Sequence, residues 1–251
     1  MEKRQIFPRG LEEYERTLGL RWPISYYLML EAKTCQVVCD GREKKCEIWI
    51  NGTTYRKPDL MFAYVIHELC HCSLAEQVDP AFPTVFFSEK WNEIARKDPA
   101  KFDQLARMIY YAWSHVDIWV NDLRFAHWPE LTSDEHNTFA QGLMLIVQHQ
   151  EWEVLQSPES LLGLAQHQAE RNRHNLVDSP DLFAVLEASG VGVDDQIKKL
   201  AQYFESLPRL KFKPKKDLKA LERSVQDVAK MLNFPINPRL VWKERWVWSL
   251  D

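Results

Sequence analysis

Apolar positions crowd most densely between Leu60 and Leu74, where Leu60, Met61, Phe62, Tyr64, Val65, Ile66 and Leu69 leave almost no polar face. Lys57-Pro58-Asp59 favours a helix start just before them, so the run predicts a buried central helix reaching about Glu76. Upstream the pattern changes. Leu11 to Leu18 is acidic and amphipathic, ends at Gly19 and predicts a short helix, and Pro23 to Lys33 predicts a second with Ser25 as its cap. Thr34 to Cys39 and Cys46 to Ile50 are β-prone runs set off by Asp40-Gly41 and Asn51-Gly52, which predicts two strands. Cys46 to Ile50 is the expected sheet edge, along which an extended peptide could pair.

Downstream, Asp79 to Phe87 reads as a loop and Ser88 to Arg96 as a helix. Asp98-Pro99 opens an unbroken helix expected to run from Pro99 to about Ala126, where Trp128-Pro129 stops it. Further helices are expected over Thr138 to Gln156, Ser160 to His174, Ser179 to Ser189, Asp194 to Leu207 and Lys216 to Leu232. The tail from Arg239 to Asp251 alternates apolar with polar and carries three tryptophans, so it should dock as a strand or lie across the helices. The pattern amounts to a mainly α, α+β protein with a small sheet before the central helix. Residues 1–131 are its expected core, and residues 132–251 a helical region packed on that core and ending in an aromatic tail.

Composition narrows the classes. With 45% hydrophobic and 27% charged residues the chain reads as globular, and its formal net charge of −4 argues against a surface that coats nucleic acid. The basic run Arg209 to Lys216 is read as a solvated loop. No apolar run reaches the length of a membrane span and the start has no apolar signal core, so a cytoplasmic protein is expected. Five cysteines, an odd number, favour reduced thiols. Cys35, Cys39 and Cys46 lack the usual C-x-x-C knuckle of structural zinc and are expected as packed thiols. Cys70 and Cys72 have no ligand spacing that improves on the neighbouring histidines.

The central helix carries the chemistry. His67-Glu68-Leu69-Cys70-His71 matches H-E-x-x-H, and residues four apart on a helix lie one above the other, so both imidazoles can meet one zinc ion with Glu68 beside them as general base. A third ligand must come from elsewhere. The segment Ala112 to Arg124 offers two polar stripes, one with Asp117 and Asn121, the other with His115 and Asp122. Leu74 and Gln77 stand where a metzincin needs glycine and histidine. No second E-x-x-H supports a di-iron site, and no E-G-C segment supports a peptide deformylase.

His67-Glu-Leu-Cys-His71 followed by Asp117-Ile-Trp-Val-Asn121 resembles the zincin-type metallopeptidases in which a D-x-x-V-N helix follows the H-E-x-x-H helix. It is similar in particular to the metallopeptidase-like domains found with VWA-like domains in bacteria. The similarity spans about Cys46 to Leu131; no VWA region is evident, and the helical C-terminal half has no counterpart there. The resemblance implies a zincin-like fold, His67, His71 and Asp117 as Zn2+ ligands, Glu68 as catalytic base and Asn121 in support of Asp117. Asp122 and His115 are the alternative third ligands. The expected activity is hydrolysis of peptide bonds in a polypeptide substrate, with the oxyanion donor drawn from Tyr110, Tyr111, His115, Arg124 and His127. The competing expectation is a catalytically silent zincin-fold regulator or adaptor that binds a protein partner.

Overall fold

In the computed structural model, which describes residues 3–6, 8–31 and 35–250, the chain is α+β and divides into two units. The first comprises Met1–Lys90, Leu210–Leu221 and Leu240–Ser249; the second comprises Trp91–Arg209, Glu222–Arg239 and Leu250–Asp251. In chain order the first passage from one unit to the other falls after Lys90. Just beyond it Trp91, 1% exposed, sets its ring edge-on to Phe102 at 6.0 Å within the second unit.

The first unit runs β1 (Arg4–Ile6), α1 (Glu12–Thr17), β2 (Ile24–Met29), β3 (Gln36–Asp40), β4 (Lys45–Asn51), α2 (Gly52–Tyr55) and α3 (Pro58–Gln77). Gly19, at φ +67°, turns the chain after α1 in a conformation that side chains rarely adopt. The sheet has the order β1-β2-β4-β3. β2 pairs parallel to β4, while β1 and β3 run antiparallel to their neighbours.

The segment 23–33 is not a helix: Ile24–Met29 is a strand, buried at Tyr26 and Met29 and registered on β4 from Ile24↔Cys46 to Met29↔Asn51. Ile24, Tyr26 and Tyr27 fit a pleated, half-buried surface, and pairing on both sides outweighs local helix preference. Residues 32–34, which end that expected helix and begin the expected strand at Thr34, lie outside the described residues. β4 in turn is no edge, because β2 and β3 flank it; the outer strands are β1 and β3.

Alternation explains what the sheet presents to α3. Val37 and Cys39 of β3 are buried, as are Cys46, Ile48 and Ile50 of β4, and α3 packs on both strands. Between Val65 and Ala75 the helix is buried at every position except the half-buried His67. Its C-terminal end is anchored by Glu76, which accepts from the backbone N–H groups of Arg21 (2.8 Å) and Trp22 (3.0 Å) and from Arg21 Nε (2.8 Å). Burial alone would raise the Glu76 carboxyl; these donors outweigh it and hold the group below its ordinary value. The tail forms a hairpin of β5 (Pro238–Trp242) and β6 (Trp246–Leu250). Within the first unit, fully buried Trp248 exchanges backbone bonds with Phe86 (2.7 Å) and Ser88 (3.1 Å).

The second unit is helical: α4 (Glu89–Lys97, whose first two residues belong to the first unit), α5 (Pro99–Trp113), α6 (Asp117–His127), α7 (Pro129–His149), α8 (Pro158–Arg173), α9 (Leu182–Ala188), α10 (Asp195–Ser206) and the second half of α11 (Pro214–Met231). Asp98, Ser157, Asp181 and Asp194 cap α5, α8, α9 and α10 through their side-chain oxygens. The single helix expected from Pro99 to Ala126 is broken by a 3-10 turn at Ser114–Val116. There the Ser114 hydroxyl donates to the Tyr111 carbonyl (2.9 Å), and His115 Nδ1 bonds the Ala112 carbonyl (2.8 Å), so two side chains compete with the α-helical ladder. α8 packs against α10 and also touches α5, α6, α7 and α9. Among the described residues no helix is long and apolar enough to cross a membrane.

Candidate metal centre

In the first unit, the helical repeat of α3 sets His67 and His71 edge-on, with ring centroids 5.0 Å apart and planes at 75°. Glu68 lies on the same helix, 7% exposed, and His71 is 6% exposed. Their neighbours Val65, Ile66, Leu69 and Cys70 are essentially inaccessible. A carboxylate and two imidazoles in such apolar surroundings cost several kcal/mol unless they are engaged, on the order of the penalty for burying unpaired polar groups. Imidazole nitrogens are donors that suit zinc, and α3 brings the His67 and His71 rings together, with Glu68 next to His67 on the same helix.

In the second unit, the 3-10 turn makes Asp117 the first residue of α6 rather than a mid-helix position. Asn121, one turn further, is 3% exposed and donates its amide Nδ2 to Glu170 Oε1 at 2.6 Å. The sequence reading missed Glu170. Burial, with the negative charge of Glu135 adding to it, pushes the Glu170 carboxyl up to about 8, against the opposing bond from Asn121. His167 Nδ1 stands 3.7 Å from Glu170, and burial pushes that imidazole down to about 4. The available signal was His167-Gln-Ala-Glu170, ionisable side chains on the same apolar stretch of α8 as Leu162, Ala165 and Ala169.

Both alternative ligands are engaged within the second unit. His115 is fully buried, stacked on Phe204 with centroids 5.7 Å apart, and both its nitrogens are bonded, Nδ1 to Ala112 and Nε2 to Ser224 Oγ at 2.7 Å. Asp122 meets Arg173 in two parallel bonds of 2.6 and 2.5 Å, with Arg209 at 3.3 Å and His174 at 3.5 Å. Of the oxyanion candidates, Tyr111 bonds Glu159 and Arg124 pairs with Glu135. Tyr110 is 47% exposed and His127 is exposed beside Trp128.

A second group of ligand-type residues lies wholly in the first unit. Cys39, Cys46 and Cys72 are all buried and their sulfur atoms fall within 4.8 Å of one another. The grouping of Cys35, Cys39 and Cys46 considered from sequence is thus replaced by one with Cys72 of α3. Hydrogen bonds from the Cys39 and Cys72 thiols hold the Cys46 thiol below its ordinary value. Compared with known proteins, the chain matches no family model, no curated protein and no solved structure.

Proposed function

We propose that the chain is a zincin-like, zinc-dependent metallopeptidase of the cytoplasm, with His67, His71 and Asp117 as metal ligands and Glu68 as general base. The observation that carries this reading is Glu68, a carboxylate kept in the interior of α3 beside two imidazoles whose rings lie 5.0 Å apart. His67 and His71 supply two imidazoles one helical turn apart on α3, and the likeness of Asp117-Ile-Trp-Val-Asn121 to the D-x-x-V-N helix supports Asp117 as the third ligand. Bound zinc would polarise a scissile carbonyl and lower the pKa of water toward neutrality. Glu68 accepts the proton of the attacking water and passes it to the leaving amide nitrogen, a role that needs a carboxylate within hydrogen-bond reach. Tyr110 and His127 are the remaining candidates for oxyanion donors. An extended substrate would pair with an outer strand, β1 or β3, since both edges of β4 are occupied.

The test is metal content by mass spectrometry of the wild type and of His67→Ala, Asp117→Ala and Glu68→Gln, beside cleavage of a denatured, fluorophore-labelled polypeptide. Near-stoichiometric zinc that falls in the first two variants, with Glu68→Gln retaining metal but losing cleavage, supports the peptidase. A metal-free wild type after zinc supply and removal of the excess refutes it. The adaptor reading draws support from Trp242, 61% exposed on the tail hairpin, and would be favoured by zinc binding without cleavage.

A further inference from the structure

We propose that Cys39, Cys46 and Cys72 form a second metal site, a three-thiolate seat for a thiophilic d10 ion that ties the β3–β4 hairpin to α3. Three of the five cysteines converge from two strands and a helix, with exposures of 0, 1 and 1%. The backbone shows how the strand pair is aimed. Cys39 and Cys46 stand directly opposite in the antiparallel register. Yet the Cys39 N–H donates outward to Thr84 Oγ1 (3.4 Å), and the Cys46 N–H donates to the Pro23 carbonyl (3.0 Å) on the other side. They are therefore a non-hydrogen-bonded pair, the kind in which facing side chains come closest. Cys72 reaches the same point from α3, which packs on both strands.

Simple packing would not need sulfur here. The same face of the hairpin otherwise presents Val37, Ile48 and Ile50, and a further aliphatic pair would serve a dry core equally well. Three thiols within 4.8 Å are instead a soft donor set, the type that selects Cu+ or Zn2+ over hard cations. Each thiol that coordinates releases its proton to solvent, with no change of oxidation state at sulfur or metal. The site is independent of the imidazole pair, although α3 carries both.

The test uses the full-length chain carrying His67→Ala and His71→Ala, so that the imidazole site cannot take the ion, stripped of metal and kept reduced by a phosphine. Cd2+ is titrated while the ultraviolet sulfur-to-cadmium charge-transfer band and the bound stoichiometry by native mass spectrometry are read. One equivalent should bind with a thiolate band and raise the melting temperature. Cys72→Ala and Cys46→Ser should each weaken Cd2+ binding by roughly tenfold or more, the scale on which metal sites lose affinity when disturbed. Cys35→Ser should leave binding unchanged. Cu+ added to the Cd2+-loaded protein identifies the preferred ion: displacement of Cd2+ assigns a monovalent site, and retention of Cd2+ a divalent one. No thiolate band in the His67→Ala, His71→Ala protein overturns the proposal. So does a band undiminished in Cys72→Ala or Cys46→Ser with unchanged circular dichroism. Because the imidazoles are absent throughout, failure here leaves the peptidase reading untouched, and failure of that reading leaves this site standing.

Discussion

Replacing Asp122 by Asn distinguishes a structural carboxylate from Asp117, the proposed metal ligand on the same helix. Asp122 is 11% exposed and Arg173 5% exposed at the side chain, and the two meet in a bidentate pair. Arg173 Nη1 also donates to the carbonyls of Glu205 (3.0 Å) and Leu207 (2.5 Å), so the guanidinium is held in place and keeps its charge when the carboxylate goes. Breaking a buried pair by removing one partner costs about 3–5 kcal/mol. Asparagine keeps the volume and one acceptor oxygen, which places the loss near about 3 kcal/mol at the low end of that range. Arg209 is 58% exposed and adds less than about 1 kcal/mol. For a chain of this size the loss corresponds to a fall in melting temperature of roughly 6–12 °C. Denaturant unfolding should show a lower midpoint with the slope unchanged, while zinc content at a temperature where the variant is folded stays at the wild-type level. Zinc lost from folded Asp122→Asn, with stability unchanged, would return Asp122 to the ligand set.

Glu68→Gln should retain metal and lower polypeptide cleavage by roughly 10²–10⁴-fold, the range for loss of a general base, as read by initial rates. His174 is held down to about 4 by burial, which outweighs the opposing pull of Asp122. Its folded value lies below the unfolded one, so its contribution to stability is present above about pH 6.5 and is lost as the pH falls toward about 4. The unfolding free energy should therefore drop by about 2 kcal/mol more between pH 7 and pH 5 in the wild type than in His174→Leu. Ser224→Ala strands the buried Nε2 of His115 and should cost about 1–3 kcal/mol in denaturant unfolding, whereas zinc content should not change. Glu76→Ala removes three bonds at the end of α3, and hydrogen exchange should accelerate first in the last turn of that helix.

Much of the architecture was legible because its signals are local. The i, i+4 spacing of His67 and His71 makes their proximity a property of any helix, and the apolar run around them made that helix a buried one. Asp40-Gly41 and Asn51-Gly52 marked the ends of β3 and β4 through turn chemistry, and Asn51 caps α2 by accepting from the Thr54 N–H (2.7 Å). Helix starts at Asp98 and Asp194 followed from side-chain capping, and the tail tryptophans did become strand residues.

What tertiary structure alone decided involves partners far apart in the chain. Ile24–Met29 carries no periodicity that separates a strand from a short helix, and only its pairing with β4 settles the matter. The same pairing turns β4 from an expected edge into an interior strand. The break that puts Asp117 at a helix start depends on how Ser114 and His115 spend their hydrogen bonds, including one to Ser224. Asn121 finds Glu170, and Cys72 finds Cys39 and Cys46, across separations that no local pattern encodes. Sequence thus determined which chemical groups the chain puts into its interior, because burial and helical spacing are written in short windows. Which of those groups meet was decided by the packing of distant segments, since only the folded core brings their side chains within bonding distance.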